Sequence, residues 1–239
     1  MKNSNYGSLY LIPTTLGDNE PLEVLPISVK KVVEQVNYFI VENEKSARRF
    51  IKKISPRKSQ PNLKLFVLDK FTSELESRDY LDVCMQGNHV GLLSEAGVPA
   101  IADPGANIVM QAHQKNIKVV PLVGPSSITL SMMSSGLNGQ NFAFNGYLPI
   151  DKLERKKTIK ELEKLSKVKN QSQIFIETPY RNDKLLADLL ATLSPSTYVC
   201  IAADITLSSE FIKTRTVEDW KRQPVNLNKR PCIFILHQF

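Results

Sequence analysis

The sequence has few of the residues that build disulfide frameworks and metal sites. Its 239 residues include three cysteines and three histidines. They stand at Cys84, Cys200, Cys232, His89, His113 and His237. No pair among them has the spacing of a zinc site, and the cysteines form no disulfide pattern. We therefore predict that the cysteines are packing residues and that the protein holds no metal.

Long hydrophobic runs are absent as well. No apolar stretch approaches the roughly 20 residues of a membrane helix, and residues 1–6 lack the apolar segment of a signal peptide. Hydrophobic residues make up 42% of the chain and charged residues 23%, which excludes a disordered protein. We expect a cytoplasmic protein without a membrane segment.

The glycines form neither of the two common phosphate-binding patterns. The sequence contains no G-x-G-x-x-G and no G-x-x-x-x-G-K-[ST], which disfavours a dinucleotide-binding Rossmann site and a P-loop. The formal net charge of +7 is compatible with a polyanionic partner such as nucleic acid.

Strand-like apolar runs alternate with segments of helical period along most of the chain. The runs cover 9–12, 38–41, 65–68, 90–93, 119–122, 142–147, 174–176, 198–202 and 232–236. This alternation predicts an α/β protein with a largely parallel sheet. The last third has shorter strands and more turn residues, so we predict a parallel-sheet lobe over 1–124 and a mixed-sheet α+β lobe over 125–239. Asp151 and Thr216 have the sequence pattern of helix caps.

Three turns rich in proline, glycine and small polar residues follow predicted strands. They cover 13–18, 94–105 and 123–127. Ligands of open α/β sheets bind at the carboxyl ends of strands, and glycine and proline allow close, rigid backbone contact. The pattern predicts a ligand site, with ordinary tight loops as the alternative.

Five short segments, three of them at these turns, resemble the motifs of a known family. The segments Leu-Tyr-Leu-Ile-Pro-Thr (9–14), Leu-Ser-Glu-Ala-Gly-Val-Pro-Ala-Ile-Ala-Asp-Pro-Gly (93–105), Val-Pro-Leu-Val-Gly-Pro-Ser-Ser (120–127), Phe-Asn-Gly-Tyr-Leu-Pro (144–149) and Ile-Glu-Thr-Pro-Tyr-Arg (176–181) occur in this order. From about residue 8 onward the chain resembles the tetrapyrrole methylase family, in particular its members that methylate a ribose 2′-oxygen of small-subunit ribosomal RNA. Those members usually carry a further small C-terminal domain, which we do not expect here.

The resemblance implies two α/β lobes with S-adenosyl-L-methionine in the cleft between them, and a homodimer. It assigns cofactor contacts position by position. These contacts are Pro13, Thr14, Glu95, Val98, Ile101, Ser126, Ser127, Ala202, Ala203 and Cys232. Glu95 stands where the family usually has an Asp.

Methylation of a hydroxyl group needs a proton acceptor, for which a carboxylate near the site is the natural candidate. We predict Asp103, Glu177 and Glu44 as catalytic candidates, with Glu42 beside the last of them. Asp103 is alternatively a helix cap, and Glu177 is alternatively the partner of Arg181 in a structural ion pair. The family's acid-Asp-Thr-Arg is replaced by Glu-Asn-Glu-Lys at 42–45, which affects the substrate side most.

Residues 45–58 contain seven basic side chains and no acidic one. We predict that Lys45, Arg48 and Arg49 contact the phosphates of ribosomal RNA or of the small ribosomal subunit, together with Arg181. A solvated helix face is the alternative. In the second basic run, 152–169, interleaved glutamates indicate ordinary surface pairs.

Two other functions stay open at this point. The same cofactor could serve a small molecule such as a tetrapyrrole, because the ribosomal members' C-terminal domain is not expected. The altered segment at 42–45 is also compatible with a cofactor-binding protein that has no catalytic activity.

Overall fold

The computed structural model describes residues 6–239 except for the side chain of Glu74. Residues 1–5, on which the expectation of no signal peptide partly rests, lie outside it. The chain folds into two compact units, the first ending at Ser126 and the second covering Ser127–Phe239. The first contains a parallel sheet and the second a mixed sheet. The predicted α/β fold class is therefore confirmed.

The first unit is built on five parallel strands. These are β1 (Ser8–Ile12), β2 (Tyr38–Val41), β3 (Lys64–Val67), β4 (Val90–Leu93) and β5 (Lys118–Pro121). They lie in the order β3-β2-β4-β1-β5. The connecting helices are α1 (Pro21–Val24), α2 (Ile27–Gln35), α3 (Glu44–Ile54), α4 (Glu74–Ser77), α5 (Asp82–Met85) and α6 (Ala106–Gln114).

This strand order positions the predicted ligand turns. β1 lies between β4 and β5, and the three strands run in the same direction. Their carboxyl ends, where the three turns begin, are therefore neighbours at one edge of the sheet. After β1 the chain continues to β2 on one side of β1, whereas β5 lies on its other side. The carboxyl ends of these strands therefore form a topological switch point, where ligands usually bind in such sheets.

Both faces of the parallel sheet are buried. Phe39 packs with α2 and α3 on one face, and the next residue, Ile40, packs with α6 on the other. Adjacent strand residues point to opposite faces. The strands consequently read as continuous apolar runs, which is why the sequence located them well.

The second unit is a five-stranded mixed sheet with helices. Its strands are β6 (Phe142–Tyr147), β7 (Ser172–Ile176), β8 (Tyr198–Ala203), β9 (Phe211–Thr216) and β10 (Cys232–His237), in the order β6-β7-β10-β8-β9. Only β6 and β7 pair in parallel; the other pairs are antiparallel. The helices are α7 (Ser127–Ser135), α8 (Lys152–Lys169), α9 (Asn182–Thr192) and α10 (Val217–Arg222).

The helix caps in this unit follow from local sequence. Asp151 accepts hydrogen bonds from the backbone N–H groups of Leu153 and Glu154 at the start of α8, and Thr216 accepts from Asp219 at the start of α10. Each side-chain acceptor satisfies donors that a helix start leaves unpaired. Both predicted caps are confirmed.

Candidate active site

The three predicted turns meet in the first unit. The backbone N–H of Thr14, in the turn after β1, donates to the Gly97 carbonyl at 2.8 Å. The hydroxyl of Ser94, directly after β4, donates to the same carbonyl at 2.6 Å. Thr14 is 3% exposed and its Oγ1 lies 3.4 Å from Ser94 Oγ. Buried polar bonds thus fasten the first two turns together.

The third turn packs against the other two. A Cβ atom added to Gly97 would lie 3.2 Å from the Pro125 carbonyl oxygen, and one added to Gly124 would lie 2.2 Å from Pro13 Cγ. Only a residue without a side chain allows the backbone at 124 to approach Pro13 so closely. The three turns, which we call the joined turns, form one continuous surface at this sheet edge.

We expect Gly124→Ala to lower the free energy of unfolding by about 1–3 kcal/mol, because the new methyl group overpacks the contact with Pro13. Chemical denaturation measures the change. Gly139→Ala is the matched control, since a Cβ there meets nothing within 4 Å. Equal effects of the two substitutions would contradict the close packing described here.

The long turn after β4 has an unusual backbone. Gly97 and Gly105 have φ angles of 75° and 130°, and Ala100 and Ala102 have φ angles of 65° and 61°. A left-handed conformation costs a residue with a side chain about 1–2 kcal/mol. Such strain is concentrated at functional sites. This conformation leaves Ile101, which is 54% exposed, at the surface of the turn.

Asp103, in the same turn, lies in an acidic environment. Burial, followed by the negative charges of Glu42 and Glu95, raises its pKa from 3.8 to about 6. Burial and the charge of Glu95 also raise the pKa of Glu42. Every charged group that shifts these two pKa values is an acid, so this acidic cluster (Glu42, Glu95, Asp103) favours a cation or a bound proton.

Helix α3 contributes to the edge of this cluster. The hydroxyl of Ser46 donates to Glu95 Oε1 at 2.6 Å. Glu42, directly after β2, is close enough to raise the pKa of Asp103, as Glu95 is. Glu44, the acid that sequence reasoning favoured, is exposed and pairs with Arg48 at 3.7 Å. Sequence spacing alone could not separate these two acids, because both follow the same strand.

The remaining site residues predicted in the first unit lie in the three turns or in α3. Pro13 is buried and Val98 is half-buried. Lys45 and Arg49 are exposed, and neither forms an ion pair with any side chain that the structure describes. Arg48 also donates to the Gln60 carbonyl at 3.0 Å.

In the second unit, Glu177 and Arg181 form an ion pair at the end of β7. Arg181 Nη2 lies 2.6 Å from Glu177 Oε1, and the same oxygen accepts from the Thr178 N–H at 2.6 Å. Glu177 is only 8% exposed. This arrangement is the structural ion pair that the sequence left open as the alternative to a catalytic role.

The predicted adenosine-side residues of the second unit are paired strand residues. Ala203 pairs with Cys232, and Ala202 with Ile233, across β8 and β10. Ile233 pairs in turn with Ile176 of β7, so these residues lie at the same end of the sheet as Glu177. Burial raises the pKa of the Cys232 thiol to about 12, which makes it an uncharged packing group.

Ser126 and Ser127 stand on either side of the division between the units. Ser126 is the last residue of the first unit, and Ser127 opens α7 of the second. Both are half-buried.

Within residues 6–239 there is no cluster of three His, Cys, Asp or Glu side chains able to hold a metal ion. No helix in the same range has the length and apolarity to cross a membrane.

The fold of the chain is similar to the folds of two solved methyltransferases. The chain superposes on the methyltransferase CobJ with a TM-score of 0.64 at 12% identity, covering 97% of this chain and 94% of that one. It superposes on uroporphyrin-III-C-methyltransferase from Thermus thermophilus with a TM-score of 0.57 at 16% identity, covering 97% and 92%. At such identities, these likenesses establish the fold.

Two relatives found by sequence carry the same name. The chain is 28% identical to ribosomal RNA small subunit methyltransferase I of Vibrio cholerae over 97% of its own length and 77% of the relative. It is 29% identical to the Thermotoga maritima protein of that name, over 89% and 90%. No protein-family model matches the chain. The resemblance inferred from the motifs is confirmed, and the chain is a methyltransferase.

Proposed function

We propose that the protein transfers a methyl group from S-adenosyl-L-methionine to a ribose 2′-oxygen of small-subunit ribosomal RNA, in the cytoplasm and as a homodimer. The observation that carries this proposal is the acidic cluster beside the joined turns, in a chain similar to ribosomal RNA methyltransferases. The homodimer rests on the sequence resemblance, and the cytoplasmic location is the expectation from the sequence.

The residues of the first unit fit this cofactor on two grounds. A sulfonium and an ammonium group are cations, and the acidic cluster offers negative charge that the neighbouring side chains do not neutralise. The turn backbone at Pro13, Thr14, Val98 and Ile101 offers rigid carbonyl groups, and Val98 and Ile101 also offer N–H groups. Ala202, Ala203, Cys232, Ser126 and Ser127 are the further residues that the resemblance assigns to the cofactor.

The cofactor supplies a methyl group on positively charged sulfur, which is ready for transfer to an oxygen nucleophile. The protein must align that oxygen and exclude water, and such positioning contributes roughly 7–11 kcal/mol to lowering a barrier. We assign the remaining task to Asp103, which would accept the proton of the 2′-hydroxyl. A pKa of about 6 places this carboxylate near the ideal value for a general base at neutral pH.

For the RNA side, the exposed bases of α3 are the candidates closest in sequence to the acidic cluster. Lys45 and Arg49 have no ion-pair partner among the described side chains, so both are available for phosphate oxygens. Arg48 divides its donors between Glu44 and the Gln60 carbonyl. Arg181 holds Glu177, and its side chain, 39% exposed, still reaches solvent for a phosphate contact.

Incubation with small ribosomal subunits and methyl-labelled S-adenosylmethionine tests the proposal. We expect label in the RNA, and mass spectrometry of its nucleosides should find a methylated ribose. Large subunits and a tetrapyrrole serve as parallel substrates. A methylated nucleobase instead of a methylated ribose would contradict the proposal. So would transfer to the tetrapyrrole but not to RNA.

A further inference from the structure

Helix α8 carries a row of exposed lysines. Its members, the lysine row, are Lys152, Lys156, Lys160, Lys164 and Lys167. All five are exposed. Their spacing of four, four, four and three residues places them on one side of the helix. At a rise of 1.5 Å per residue, the row is about 22 Å long.

The acids interleaved in the sequence do not balance this row. Glu163, which is suitably spaced to pair with Lys160 or Lys167, is instead 9% exposed. Its carboxylate accepts hydrogen bonds from the Ser194 N–H at 2.7 Å and from the Thr197 hydroxyl. Within residues 6–239, the one ion pair of α8 with an exposed lysine joins Lys157, outside the row, to Glu161 at 4.0 Å. The ordinary surface pairing expected from the sequence is thus largely absent.

Neighbouring like charges four residues apart destabilise an isolated helix by a few tenths of a kcal/mol per pair. The row contains three such pairs in succession, so it is unfavourable for α8 alone. The buried face of α8, with Ile159 and Leu162 in the core, holds the helix in place. A polyanion lying along the row would remove the repulsion.

The basic side chains of residues 45–58 differ from the lysine row, because several of them have partners within the protein. Lys52 donates to the Pro56 carbonyl, Lys53 pairs with Asp18 at 2.9 Å, and Lys58 donates to the Glu34 carbonyl. The ammonium groups of these three lysines are therefore engaged within the protein, one of them by a carboxylate. The lysine row keeps its charge for a partner.

We propose that the lysine row binds the phosphate backbone of the RNA substrate, as a second contact in addition to the α3 bases. The identity of the partner as RNA rests on the proposed function. An anionic membrane surface fits less well, because an interfacial helix must insert an apolar face, and the apolar face of α8 is buried in the core.

The test compares two triple variants of the full chain. Lys156→Gln, Lys160→Gln and Lys164→Gln together remove the centre of the row. Lys31→Gln, Lys118→Gln and Lys221→Gln remove the same charge from three exposed positions elsewhere. Affinity for deproteinised small-subunit RNA is measured by fluorescence anisotropy across a salt series.

We expect the row variant to bind about tenfold or more weakly near physiological salt, and the slope of log affinity against log salt to fall by about 2–3. The control variant should shift both quantities far less. Thermal melting should show the row variant to be at least as stable as the parent, because repulsion within α8 is relieved.

Equal losses in the two variants, or an unchanged salt slope in the row variant, would overturn the proposal. So would a row variant that loses binding to phosphatidylserine vesicles while keeping its RNA affinity. These outcomes are independent of methyl transfer, which is assayed separately. If the parent methylates no RNA but the row variant alone loses RNA affinity, the proposed function is wrong and RNA binding by the lysine row is still supported.

Discussion

Replacing Asp103 by asparagine should slow methyl transfer about 10²–10⁴-fold, the usual contribution of a general base, and should make the protein more stable near pH 7. The two effects have one cause. The carboxylate is held among the acids Glu42 and Glu95 and is half-buried, so its charge is unfavourable in the fold and useful in the reaction. Single-turnover kinetics with small ribosomal subunits and chemical denaturation measure the two effects.

The pH dependence of stability follows from the pKa of Asp103. A folded pKa of about 6 lies above the ordinary value of 3.8, so the folded protein holds this proton more tightly. The free energy of unfolding should fall as pH rises from about 4 to about 6 and then stay level with respect to this group. After allowance for solvent screening at a half-buried carboxyl, we expect the effect to be about 1 kcal/mol. Asp103→Asn should remove this slope.

Two comparisons make the experiment decisive. Asp79→Asn is the matched control, since it is the same substitution at an exposed carboxylate of the first unit. Glu44→Gln separates the two catalytic candidates of that unit, because Glu44 is exposed and pairs with Arg48. If Glu44→Gln lost as much activity as Asp103→Asn, or if Asp103→Asn retained full turnover, Asp103 would not be the base.

The largest loss of stability is expected at the buried ion pair of the second unit. Asp188→Ala should lower the free energy of unfolding by about 3–5 kcal/mol, because it leaves the Arg155 guanidinium buried without its counter-charge. The side chains of the pair are 6% and 11% exposed, and Arg155 Nη2 lies 2.5 Å from Asp188 Oδ2. Arg155 also donates to the Pro149 and Ile150 carbonyls. Denaturant titration monitored by the fluorescence of Trp220, in this unit, measures the change.

Glu161→Ala provides the comparison for this substitution. It breaks the ion pair with Lys157, which is largely exposed and therefore worth little. We expect a change within about 0.5 kcal/mol. A comparable effect of the two substitutions would show that water reaches Arg155 and that the pair is not buried in solution.

The sequence predicted the fold class and most strands correctly, because buried parallel strands are continuous apolar runs. It missed β9, because its residues Phe-Ile-Lys-Thr-Arg-Thr contain only two apolar residues, followed by four polar ones. This strand lies at the edge of its sheet, where one side faces solvent and polar residues are tolerated. Its pairing partner β8 is fixed by contacts across the sheet that a local pattern does not contain.

The candidate site was predictable in its backbone and less so in its side chains. Proline and glycine at 13, 97 and 124 report close backbone packing directly, so the three turns could be recognised. The choice of Glu42 over Glu44 as the acid near Asp103 depends on the turn between β2 and α3. The inward orientation of Glu163 depends on Ser194 and Thr197, which are more than 30 residues away. Such long-range contacts are not encoded in local spacing.

We propose that the acidic cluster at the joined turns binds the positive charge of the methyl donor. Calorimetric titration with S-adenosylmethionine and with S-adenosylhomocysteine, which lacks the sulfonium charge, tests it most directly. We predict that the preference for S-adenosylmethionine falls about tenfold from about pH 7.5 to about pH 5, as Asp103 takes up a proton, and that Asp103→Asn abolishes this change. A preference that is independent of pH in the parent protein would contradict the claim.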